Sequence, residues 1–168
     1  RSVSEMKDGR MSQTGLERLD TLRKLNENSS WLNQDLYRLL YKKDLYVTAY
    51  EKIKSRPGNM NPAADDSTID DFSLEEIEKT IAGIKDCSFQ FSDFPPGEKV
   101  VQEIIRMVLE AIYDSPENPF FLDCSHGFRN GRGTHTALKE IRKWQGTCWF
   151  IQGDIKGCFD DIDHDKLL

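Results

Sequence analysis

Residues 147–154, TCWFIQGD, are the one stretch of this chain with convincing strand character. Trp149, Phe150 and Ile151 make a short apolar run bounded by polar residues, while the segments before it read as helices and loops. A strand must pair its backbone N–H and C=O groups, and the sequence offers few partners. The chain therefore reads as an incomplete α+β unit, with several helices preceding one core strand. That strand runs straight into GDIKGCFDDIDHD, which places Asp154, Asp160, Asp161, Asp163 and Asp165 within twelve positions.

Three readings of that acidic stretch compete: a metal site, a solvated loop, or a helix start. Two-metal phosphoryl transfer needs carboxylates fixed around ions about 3.5–4 Å apart. A strand end is a rigid mount, so Asp154 is the candidate ligand. Gly157 permits close approach to the backbone, and Phe159 is a candidate pocket wall. Asp160 to Asp165 read better as turn and cap residues, with Asp163 capping a helix that starts at His164. A calcium loop is excluded by pattern. Counted from Asp154, positions 1, 3, 5 and 6 read Asp, Lys, Cys and Phe, where that loop needs acids or Asn followed by Gly.

The helices come from spacing. Leu16, Leu19, Leu22 and Leu25 predict an amphipathic helix that stops near NENSS. A second helical region over 34–54 carries Leu36, Leu39, Leu40, Val47, Tyr50 and Ile53 on its apolar face, with a break at Asp44. Residues 55–73 are rich in Pro, Gly, Asn and Asp and predict a long loop. Ser73 and Glu76 predict a capping box before Leu74, Ile77, Ile81 and Ile84. Val101, Ile104, Ile105, Val108 and Ile112 share one face of a strong helix. A further helix over 134–144 is expected to turn Ala137, Leu138, Ile141 and Trp144 inward. The tyrosines at 37, 41, 46 and 50 read as core or partner surface.

The net charge is −6 and the pI about 5.1. An acidic chain binds nucleic acid only through local patches. One exists: HGFRNGRGTHTALKEIRK, residues 126–143, holds Arg129, Arg132, Lys139, Arg142 and Lys143 against Glu140 alone. Helical spacing sets the last three cations opposite Ala137, Leu138 and Ile141, a face suited to phosphates or simply to water. The four cysteines are scattered and form no CxxC, which points to a reducing compartment and structural thiols. Cys124, His126, His135 and Cys148 match no standard zinc spacing. No apolar run reaches membrane-spanning length, so no membrane partner is expected. Arg1 is not a natural start, so residues are expected to precede it.

SHGFRNGRGTHTAL followed by WFIQGDIKGCFDDIDH resembles the second and third conserved blocks of group II intron-encoded reverse transcriptases, also called maturases. EKVVQEIIRMVLEAIYD resembles the end of their first block, and LYRLLYKKDLYVTAYEKIKSRPGN to DDFSLEEIEKTIAGIKD is similar to their N-terminal extension. The likeness covers roughly residues 34–168. It implies the fingers and partial palm of a right-hand polymerase: an N-terminal extension over 1–72, fingers over 73–146 and the start of the palm over 147–168. Asp154 matches the first catalytic, Mg²⁺-binding aspartate, with Ile155 at the metal. Gly157, Cys158 and Phe159 match the nucleotide site, where Phe159 sits under the ribose and excludes a 2′-hydroxyl. Arg129, Arg132, Lys139, Arg142, Lys143, Lys42 and Lys43 match regions near RNA and template. The implied partners are group II intron RNA, a DNA target or primer, and deoxynucleoside triphosphates. The implied setting is the mitochondrion, another organelle or the bacterial cytoplasm.

Two departures bear on the implied activity. The chain ends at Leu168, before the block that holds the other metal carboxylates, so this segment alone is expected to be inactive. Between Ser92 and Asp93 the family's basic finger hairpin is missing. The flanks still match, so those residues are read as absent from this stretch, which also accounts for the acidic balance. The expected function is RNA-directed DNA synthesis plus assistance to intron splicing; the rival is an RNA-binding splicing cofactor that no longer polymerises.

Overall fold

Thr14 starts the first helix. Its backbone is extended (φ −64°, ψ 161°), and its hydroxyl accepts the Glu17 N–H at 3.2 Å while the Glu17 carboxylate accepts the Thr14 N–H at 3.0 Å. Two otherwise orphaned donors are thereby satisfied reciprocally. Helix α1 then runs Gly15–Leu25, with Leu19 and Leu22 buried and Leu16 exposed. It ends at Asn26, whose side-chain amide pairs with that of Asn33 through two hydrogen bonds, 3.0 and 2.8 Å long. The computed structural model describes residues 13–28, 30–55, 72–91, 96–115, 120–158 and 160–167. The chain falls into two units, Arg1–Leu122 and Asp123–Leu168. The loop expected over 55–73, the gap at Ser92 and Asp93, and Phe159 lie wholly or largely outside the described residues.

The second helical region is two elements. A 3₁₀ helix, Leu36–Tyr41, is followed by an extended residue, Lys42 (φ −90°, ψ 109°), and then by α2, Lys43–Lys54. The break therefore falls at Lys42, two residues before the expected Asp44. It resets the helical phase, so one periodicity cannot run through both pieces. Leu45, Tyr46, Ala49 and Ile53 point inward on α2, and Val47, expected inside, is exposed.

Helix α3, Leu74–Lys85, begins with the Ser73 hydroxyl accepting the Glu76 N–H at 3.3 Å. Its buried stripe is Ile77, Ile81 and Ile84; Leu74, in the first turn, is exposed. Helix α4, Pro96–Tyr113, is the longest among the described residues and packs against α1, α2, α3 and the 3₁₀ helix. Val100, Val101, Ile104, Met107, Val108 and Ala111 are buried along it, whereas Ile105 is exposed. The buried Glu103 carboxylate accepts two hydrogen bonds from Arg106, at 2.9 and 2.7 Å, and Arg106 reaches Glu110 at 3.1 Å. A charge-assisted fork of this kind offsets the cost of burying a carboxylate. The Glu103 bonds also hold the Arg106 guanidinium above its ordinary pKa.

The core of the first unit is thus helix on helix. Tyr46 is fully buried at its centre, with its hydroxyl donating to the Leu40 carbonyl at 2.8 Å. Burial pushes that phenol well above its ordinary pKa. Of the other tyrosines, Tyr41 and Tyr50 pack on the core, and Tyr37 donates to the Ile84 carbonyl at 3.0 Å.

In the second unit α5 spans Thr134–Ile141 and α6 spans His164–Leu167. No described residue of this unit is buried. Leu138, Ile141 and Trp144, expected inward, are exposed, because no described element of the unit packs on them. Residues 147–155 adopt no regular structure, in contrast to the expected strand, and Trp149 and Ile151 are 87% and 91% exposed. A strand without a neighbour has nothing to bond its backbone to. The four cysteines are free, and all four are exposed.

Candidate functional site

The basic loop before α5 is held by polar contacts instead of an apolar core. Arg129 donates to the Ser125 carbonyl at 3.1 Å, and Arg132 reaches the same carbonyl at 3.4 Å. Arg132 also donates to the Asp123 carbonyl and lies 3.4 Å from the Asp123 carboxylate. Across the loop, the Thr136 hydroxyl accepts the Gly133 N–H at 2.8 Å and lies 2.8 Å from the Gly133 carbonyl and 2.9 Å from His126 Nδ1. With the threonine proton on the carbonyl, the imidazole donates from Nδ1. This network fixes residues 123–136 at the start of α5.

The other cations divide. Lys143 pairs with Glu140 at 2.6 Å and holds that carboxyl below its ordinary pKa. Lys139 and Arg142 make no ion pair among the described residues. In the first unit, Lys42 donates to the Gln13 carbonyl at 2.7 Å, and Lys43 bonds to Glu78, lowering that carboxyl's pKa. Lys42 and Lys43 thus already have partners that tie elements of the fold together.

The acidic stretch shows a division of labour. Asp154, Ile155 and Cys158 are exposed. Gly157 adopts φ +61°, and the Asp161 N–H returns to its carbonyl at 2.8 Å. A Cβ at Gly157 would lie 2.7 Å from the Asp161 carboxylate, so the turn itself demands glycine. Asp163 precedes α6 and pairs with Lys166 at 2.9 Å. Asp161 and Asp163 are therefore engaged in the turn and the helix start, and Asp154 is left outside both. Among the described residues, no three His, Cys, Asp or Glu side chains converge as a metal site. Asp154 by itself does not fit a two-ion centre, which needs several carboxylates. Ser125 and Thr136, the hubs of the basic loop, carry no signal in the sequence that singles them out.

Residues 94–168 match the family model described as reverse transcriptase (RNA-dependent DNA polymerase). The chain is 38% identical to the uncharacterized 91 kDa protein in cob intron of Schizosaccharomyces pombe, over 94% of this chain and 22% of that one. It is 40% identical to the group II intron-encoded protein LtrA of Lactococcus lactis, over 84% of this chain and 26% of that one. Nuclear intron maturase 1, mitochondrial, of Arabidopsis thaliana is 36% identical over 42% of this chain and 10% of its own length. The chain thus spans only about a quarter of its longer-matching relatives. With the reverse transcriptase match and these relatives together, the chain belongs to the group II intron-encoded reverse transcriptases and maturases.

Proposed function

We propose that the whole protein is an RNA-directed DNA polymerase and intron maturase. It binds its group II intron RNA, assists splicing, and copies the RNA into DNA from a primer 3′-hydroxyl and deoxynucleoside triphosphates. The observation that carries this reading is the 40% identity over 84% of the chain to a group II intron-encoded protein. Relatives in a bacterium and in mitochondria favour an organellar or bacterial setting. The α+β fingers and partial palm, with an extension before them, are part of the same proposal.

In this reading the primer hydroxyl attacks the α-phosphate and pyrophosphate leaves. Asp154 would supply one carboxylate to a Mg²⁺ site, where the ion would polarise the α-phosphate. Ile155, Gly157 and Cys158 offer main chain near the triphosphate, Phe159 faces the ribose, and Arg129, Arg132, Lys139, Arg142 and Lys143 lie along RNA. Lys42 and Lys43 contribute at the extension.

The test is Asp154→Ala in the full-length protein. Primer extension is expected to fall to background while intron RNA binding and splicing assistance persist. Extension at the wild-type rate removes Asp154 from the reaction. Absence of extension in the unmutated protein, with splicing assistance intact, establishes the rival splicing cofactor.

A further inference from the structure

Among the described residues, Phe128 stands out from every other exposed aromatic. Its side chain is fully exposed, and its backbone has φ +58°, a left-handed conformation that aromatic residues rarely adopt. Trp149 and Phe150 are also exposed, but they lie in a stretch whose pattern calls for a sheet partner, and neither has a positive φ. Phe128 lies in a loop whose shape is imposed on both sides. Before it, His126 is tied to Thr136; after it, Arg129 is tied to Ser125. The network therefore holds a disfavoured backbone that displays an aromatic ring to solvent. Such a conformation persists only where its surroundings over-determine it.

The flanking glycines add a second observation. Gly127 and Gly133 have no positive φ of the left-handed kind, and a Cβ at either would meet nothing within 4 Å. Neither the fold nor the neighbours require glycine at these positions. Bare backbone beside an exposed ring leaves room for a ligand to approach the main chain closely.

Charge identifies the ligand. Residues 123–143 hold five cations, Arg129, Arg132, Lys139, Arg142 and Lys143, against Asp123 and Glu140, in a chain of net charge −6. An aromatic face set among cations is the pairing that binds single-stranded nucleic acid, where the ring stacks a base and the cations follow the phosphates. We infer that Phe128 is a base-stacking residue for single-stranded RNA, presented by the His126–Thr136 and Arg129–Ser125 contacts. This deepens the proposed RNA-binding function and rests on it.

The experiment uses the full-length protein and a fluorescent single-stranded RNA containing intron sequence, titrated at several salt concentrations. Phe128→Ala is expected to weaken binding about tenfold with the salt slope unchanged, because stacking releases no counterions. Phe128→Trp restores the affinity, whereas Phe128→Leu, equally apolar but without a ring face, does not. Arg129→Gln shallows the salt slope instead. Wild-type affinity in Phe128→Ala, or full rescue by Phe128→Leu, overturns the stacking role and assigns Phe128 to packing against protein. An unmutated protein that binds no RNA overturns the functional reading itself, so the two failures are distinct.

Discussion

Gly15, at the first turn of α1, abuts Leu45 on α2 so closely that a Cβ on Gly15 would lie 2.5 Å from the Leu45 Cγ. Leu45 is fully buried, and the contact is to the branch point of its side chain, which has no room to retreat. Around it, Asp44 accepts the Leu16 N–H at 3.2 Å and Lys42 takes the Gln13 carbonyl. The start of one helix is keyed into the start of another.

Gly15→Ala is therefore expected to destabilise the first unit by about 1–3 kcal/mol, the usual cost of overpacking, although alanine is the better helix former by about 1 kcal/mol. Urea denaturation followed by circular dichroism measures it. Adding Leu45→Ala to Gly15→Ala is expected to cost less than the two single changes summed, since the smaller residue removes the collision. Strict additivity speaks against the contact.

Tyr46 sets the alkaline limit of the same unit. Its folded pKa is raised by burial above the ordinary value of about 10. Stability from the neutral phenol is fully present below pH 10 and is lost as pH climbs past it toward the folded pKa. Tyr37 is raised in the same direction, first by burial. Tyr46→Phe is expected to cost about 1 kcal/mol at neutral pH, through the lost bond to Leu40, and to flatten the decline above pH 10. A mutant with the wild-type alkaline profile shifts that role to other groups.

The turn after Asp154 is tested at Gly157. Gly157→Ala brings a side chain into the left-handed region, at about 1 kcal/mol, and into the Asp161 carboxylate. Loss of hydrogen-exchange protection at the Asp161 amide is expected, together with slower primer extension by the full-length protein. Adding Asp161→Ala relieves the collision but not the backbone strain, so recovery should be partial. Complete recovery means that φ +61° matters little.

Phe159 is testable by sugar discrimination. In the full-length protein, Phe159→Ala or Phe159→Val is expected to raise incorporation of ribonucleotides relative to deoxyribonucleotides in single-nucleotide assays. Unaltered discrimination removes Phe159 from the ribose site.

Much of the helical architecture is legible in the chain, and the departures share a cause. Leu19, Leu22, Ile77, Ile81, Ile84, Val101, Ile104 and Val108 all fall inward where their spacing puts them. Val47 and Ile105 do not. For Val47 the reason is the extended residue at Lys42, which resets the phase, because periodicity reports only an uninterrupted helix. Leu138, Ile141, Trp144 and the 147–151 run carry an inward pattern with no described partner in their unit, so pattern there reports what a larger assembly would cover. In the acidic stretch the turn and helix-start positions of Asp161 and Asp163 are legible from the letters, whereas the strand expected to mount Asp154 is not formed. Phe128 was not legible, since nothing in its letter reveals a left-handed backbone.

The first unit also says something about the order of events at the ribosome. Among the described residues, every buried apolar residue of its core lies between Leu19 and Ala111. Once that much chain has cleared the exit tunnel, every described residue of this buried apolar cluster is available to pack. Domains completed early in synthesis fold first, and helical contacts form fast. The core of the N-terminal unit is thus expected to begin folding before synthesis of residues 123–168 is complete.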